Sequence, residues 1–128
     1  MLNVLRYGDA GPGPKGEVMV VEFELRGQKF TALNGGPQFK FDEAISFVVN
    51  CEDQAEVDYF WERLCADGGE PSVCGWLRDK YGLAWQVVPR RLFELMSDPD
   101  GAKAERATAA MLKMTKFDIG ALERAAQG

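Results

Sequence analysis

The chain has 128 residues, 46% of them hydrophobic and 27% charged, which is enough for one globular domain with a real core. Its net charge of −5, from 20 acidic and 15 basic residues, argues against a duplex-binding surface, which would need a basic stripe. There is no histidine, which removes the Ser-His-Asp triad, the Cys-His pair and every histidine-based metal site.

No apolar run is long enough to span a membrane, and the N-terminus does not read as a signal peptide. The three cysteines, Cys51, Cys65 and Cys74, lack CxxC spacing. Reduced thiols in a cytoplasmic protein are expected, with neither a disulfide framework nor a zinc cluster.

In chain order, residues 2–7 predict a short strand, ended by Gly8-Asp9-Ala10-Gly11-Pro12-Gly13-Pro14. That stretch is not a dinucleotide fingerprint, because prolines and another strand follow where a helix N-terminus would hold phosphates. Val18 to Leu25 alternates, with Met19, Val21, Phe23 and Leu25 on one face. Arg26-Gly27-Gln28 turns the chain and residues 29–33 return, completing a hairpin. Glu22 and Glu24 share the opposite face, where a solvated surface outweighs a shared metal or proton.

Residues 44–50 predict a strand with Ile45, Phe47 and Val49 on one face. A helix over 54–66 follows, started by Asp53 and Glu56 and striped by Val57, Phe60, Trp61, Leu64 and Cys65. That stripe is expected on the Ile45/Phe47/Val49 face. Residues 72–78, including Cys74, and 83–88 predict two more strands. The rest is helical: 90–96, then 102–115 with Ala104, Ala107, Met111 and Met114 on one stripe, then a short helix after Asp118. The order gives an α+β fold with helices on one side of mostly antiparallel strands.

Specific pieces of the chain carry a resemblance: RYGDAGPGP, FTALNGGPQFKF, EAISFVVNCEDQAEVDYFWERL, CGWLRDKYGLAWQVVP and the tail MLKMTKFDIGALERA. Together they resemble the PhnB-like group of the vicinal oxygen chelate (glyoxalase/bleomycin-resistance) superfamily. Some of its members are labelled 3-demethylubiquinone-9 3-methyltransferase. The resemblance implies βαβββ modules whose sheets curl around a pocket, usually in a dimer. It implies a domain over residues 1–97, with its second module at 43–89, and a helical extension over 98–128. The family has a strand and a helix ahead of the piece that begins here at Leu2, so the first module is expected to be incomplete. A partner chain, an exchanged element or the C-terminal helices would then cover its edge and its Met19/Val21/Phe23/Leu25 face. A homodimer with exchanged or shared sheet elements is the expectation.

Metal-binding members of the superfamily hold a divalent ion with His, Glu or Gln from both modules. Ala44 stands here where the second module's histidine would be, and Gln86 where its glutamate would be. An alanine binds no metal, and one amide oxygen is a weak anchor for a hard cation. No cofactor is therefore expected. The leading expectation is metal-free small-molecule binding, with Ser46, Val48, Ala84 and Gln86 as the pocket floor. Trp76 and Phe39 would wall it, and Arg6 and Asn34 would make polar contacts. Two alternatives stand beside it. One is a lyase, isomerase or dioxygenase that recruits a metal through Gln86 and carboxylates such as Glu22. The other is an interaction module without a ligand. Methyl transfer finds no glycine-rich strand-to-helix turn suited to a methyl-donor nucleotide.

Overall fold

A computed structural model describes residues 1–128 and divides them into two compact units, Met1–Lys40 and Phe41–Gly128. No helix is long and apolar enough to cross a membrane.

The first unit is an antiparallel meander of β1 (Asn3–Arg6), β2 (Val18–Leu25) and β3 (Gln28–Leu33), in that spatial order. Arg26 and Gly27 both have positive φ, the backbone that a two-residue hairpin turn demands. Its ladder pairs Val21 with Ala32 and Phe23 with Phe30, whose rings stack at 5.4 Å. Tyr7 is this unit's one buried hydrophobic residue. The loop after β1 closes over its ring. Tyr7 N–H donates to Glu17 O at 2.9 Å, Gly16 N–H donates to Tyr7 O at 2.9 Å, and the phenol donates to Asn34 O. A Cβ at Gly13 would sit 2.3 Å from that ring, so this glycine serves close packing.

The second unit begins with β4 (Ser46–Cys51), α1 (Gln54–Cys65), a 3₁₀ turn (Ala66–Gly68) and β5 (Glu70–Pro71). Then come β6 (Trp76–Arg78), β7 (Ala84–Pro89) and the helices α2 (Arg90–Met96), α3 (Gly101–Met111) and α4 (Ile119–Gln127). The sheet order is β4-β7-β6-β5, with β4 parallel to β7 and the other pairs antiparallel. The α1 crossover permits the parallel pairing. Residues 46–89 thus run strand, helix and three strands, and the chain is α+β with a glyoxalase-type module.

Two cores hold this unit. α1 lays Val57, Phe60, Trp61, Leu64 and Cys65 against Val49, Cys51, Leu77, Trp85 and Val87 on one sheet face. Asp53 caps the helix by accepting from Glu56 N–H at 2.9 Å. Glu56 reaches back to Glu52 N–H at 2.8 Å, one residue before the usual capping-box donor. The expected face needs one correction. β4 starts at Ser46, so Ile45 lies in the preceding turn and is 72% exposed. Cys51, fully buried at the far end of the strand, takes its place in the row.

The second core joins Val88, Leu92, Leu95, Ala107, Phe117, Leu122 and Ala126, with Met111 and Met114 packed against them. The α3 stripe is therefore spent on α2, α4 and the end of β7. The expected boundary at residue 97 falls between α2 and α3, which share this core.

The segment 72–75 is not the strand that its residues predict. Cys74 and Gly75 have φ of 55° and 78°. Their N–H groups donate to Met114 O and Thr115 O, both at 2.8 Å, instead of to a neighbouring strand. The same contacts hold the chain between α3 and α4 outside a helix, so α3 stops at Met111 short of the expected 115. Gln54 fixes that segment from the other side. Its Nε2 donates to Phe117 O at 2.9 Å and its Oε1 accepts from Ile119 N–H at 2.8 Å.

Candidate functional site

Strand alternation gives the second sheet two unlike faces. α1 covers one. The other carries Ser46 and Val48 from β4, Ala84 and Gln86 from β7, and Trp76 and Arg78 from β6. Val48, Gln86 and Trp76 form one cross-strand row, because Gln86 pairs with Val48 on one side and Trp76 on the other. Ser46 lies one step down β4, and its Oγ accepts from Gln86 Nε2 at 2.9 Å. That bond fixes the orientation of the amide. Val48 is 49% exposed, so the middle of this face is open. Ala84, by contrast, is fully buried.

At the far edge of the sheet lies a recess of about 320 Å³, lined by Glu43, Glu70, Ser72, Val73, Trp76 and Arg78 among others. Arg78 reaches Glu70 at 2.5 Å and Glu43 at 3.7 Å. All three side chains are about half exposed, so these pairs orient the guanidinium more than they stabilise the fold. An aromatic wall, a guanidinium, two carboxylates and a neutral amide form a surface able to stack and hydrogen-bond a small polar molecule.

The expected site residues divide between the units. Ser46, Trp76 and Gln86 come together on the open face. Arg6, Asn34 and Phe39 belong to the first unit. Arg6 Nη1 donates to Gly16 O at 2.9 Å and Asn34 Nδ2 to Val18 O at 3.0 Å, so both help close the loop over Tyr7. Phe39 is 95% exposed. Glu43, Glu70 and Arg78 escaped the sequence reading. Pairing of Glu70 with Arg78 was their signal, but β5 is only two residues long and leaves no periodicity to read.

The donor set does not fit a divalent ion. No three of the His, Cys, Asp or Glu side chains group to hold one. Ala44 offers only backbone, and its N–H is bound to Asp42 Oδ1 at 2.9 Å. Gln86 supplies a single neutral oxygen on this face. The thiols are no better placed for covalent chemistry. All three cysteines are free. Burial, aided by Glu56 and Asp53, pushes the Cys51 thiol up to about 11. Burial raises Cys65 as well. A protonated buried thiol is a poor nucleophile.

The comparisons agree with this architecture. The family model described as 3-demethylubiquinone-9 3-methyltransferase matches residues 1–88. Among solved structures, the chain is similar to a putative 3-demethylubiquinone-9 3-methyltransferase, PhnB protein, from Bacillus cereus. The two are 33% identical, with a TM-score of 0.61, over 69% of this chain and 77% of that one. No curated protein matches the chain. With a family model matched over most of the sequence and a PhnB protein sharing its fold, the chain belongs to the PhnB-like, 3-demethylubiquinone-9 3-methyltransferase family.

Proposed function

We propose that this protein binds a small molecule on the open face of its second sheet, without a metal, and works as a cytoplasmic homodimer. The observation that carries the reading is the Ser46–Gln86 hydrogen bond. It pre-sets a half-buried amide between Val48 and Trp76, on a face that no helix of its own module covers. A ligand stacking on Trp76 finds a polar contact whose orientation is already fixed. The free thiols fit a reducing compartment. The exposed apolar residues of the first sheet, Leu5, Leu25 and Leu33 among them, support a second copy as partner.

Methyl transfer, named in the family description, has no residue assigned to it here. The glycine-rich loop is followed by β2, and its Gly11 and Gly13 pack on Tyr7. Binding alone accounts for the site's groups.

The test is a fragment screen on protein stripped with chelator, read by thermal shift and accompanied by elemental analysis. Aromatic fragments should stabilise the wild type equally with and without EDTA, and should lose their effect in Trp76→Ala. A stoichiometric transition metal whose removal abolishes binding would overturn the metal-free reading and favour the lyase, isomerase or dioxygenase alternative.

A further inference from the structure

The two sheets are built alike up to one strand. In the second, the antiparallel meander β5-β6-β7 carries β4 on the outer edge of its last strand. In the first, the meander β1-β2-β3 has the same strand directions, and the outer edge of β3 is unpaired. We infer that two copies of this chain join through that edge, antiparallel about a twofold axis at Thr31, into one six-stranded sheet. The inference rests on the homodimer proposed above and specifies its surface.

The ladder geometry defines what the edge presents. Bonded and non-bonded pairs alternate in an antiparallel ladder, and a two-residue turn is closed by a bonded pair. Leu25–Gln28, Phe23–Phe30 and Val21–Ala32 are then the bonded pairs. The bond from Asn34 N–H to Met19 O continues that parity. Lys29, Thr31 and Leu33 therefore point their N–H and C=O groups away from β2. Every residue of β3 except Phe30 is exposed. The strand has no proline, its pairing shows no bulge, and Lys29 is the one charged residue that guards the edge. The opposite edge, β1, is four residues long and its register is broken between Leu5 and Arg6.

The edge is also complementary to itself. With Thr31 opposite Thr31 of the second copy, Lys29 faces Leu33, so no like charges meet. Thr31 and each Lys29–Leu33 pairing exchange backbone hydrogen bonds. Phe30 falls opposite Ala32 of the second copy, large against small, on both sides of the axis. The stacked Phe23 and Phe30 rings are thereby extended by Ala32 and Val21 of the other chain into one apolar row. One exposed contact yields: the donation from Gln28 Nε2 to Lys29 O at 3.1 Å.

Light scattering of the full chain across a dilution series, with three variants at the axis, tests this. Wild type should run at twice 14.2 kDa. Thr31→Asp and Thr31→Lys each set like charges face to face and should run at 14.2 kDa, while their equimolar mixture should recover the doubled mass. Thr31→Pro, which deletes only the outward N–H, is a second route to the same loss. Monomeric wild type would sink both the homodimer and its surface. A dimer untouched by all three variants, or an acid–base mixture that stays monomeric, would sink the β3 edge alone.

Discussion

At the scale of single residues, burial and backbone angle explain what residue type leaves open. Cys51 sits just before a helix N-terminus, a position that ordinarily favours a thiolate. Complete burial and two nearby carboxylates reverse this and hold the thiol protonated, at about 11. Folding thus binds the proton more tightly than the unfolded chain does. The stability linked to the neutral thiol is complete below its ordinary value of 9.0 and is lost as pH climbs through about 11. Alkylation at mildly alkaline pH should label Cys51 only after denaturation, and urea midpoints should fall in that alkaline window more in wild type than in Cys51→Ala. Rapid labelling of folded protein at Cys51 would contradict this. Gly75 is the second such residue. A Cβ there would lie 2.3 Å from the Phe117 ring, on a backbone with φ of 78°. Gly75→Ala should lose about 1–3 kcal/mol of stability from overpacking alone, seen as a lowered urea midpoint at unchanged slope.

At the scale of elements, local signals and distant ones part company. α1 was legible because its cap, Asp53, and its apolar stripe lie next to and within the helix's own residues. The β2–β3 hairpin was legible because alternation and the Arg-Gly turn agree. Segment 72–75 was not, because its conformation is decided by hydrogen bonds to residues 114 and 115, far along the chain. The same partners end α3 early, which its alanine-rich sequence does not announce. The cap gives an expected magnitude: Asp53→Ala should cost about 0.5–2 kcal/mol, measured by chemical denaturation. Leu122, fully buried among the C-terminal helices, should cost about 2–5 kcal/mol as Leu122→Ala. A loss well under 1 kcal/mol at Leu122 would mean that those helices do not share the core described.

At the scale of the whole molecule, the fold could be read from the chain, and so could the shared face of three of the candidate residues. Ser46, Trp76 and Gln86 were legible because strand alternation puts them on one face. The recess beside them was not, since Glu43, Glu70 and Arg78 meet only through a two-residue strand. The three tryptophans now separate the claims about that face. Trp61 of α1 and Trp85 of β7 pack in the core between helix and sheet, and Trp85 Nε1 donates to Asp79 Oδ2 at 2.9 Å. Trp76 alone stands on the opposite face, beside Gln86. The most direct measurement is therefore a proton–nitrogen NMR spectrum of the indole and side-chain amide groups, recorded in EDTA during titration with an aromatic fragment. The account predicts that the Trp76 indole and the Gln86 amide signals move together and saturably, while those of Trp61 and Trp85 stay in place. Movement confined to Trp61 and Trp85, or no movement at Gln86 when a fragment binds, would contradict it.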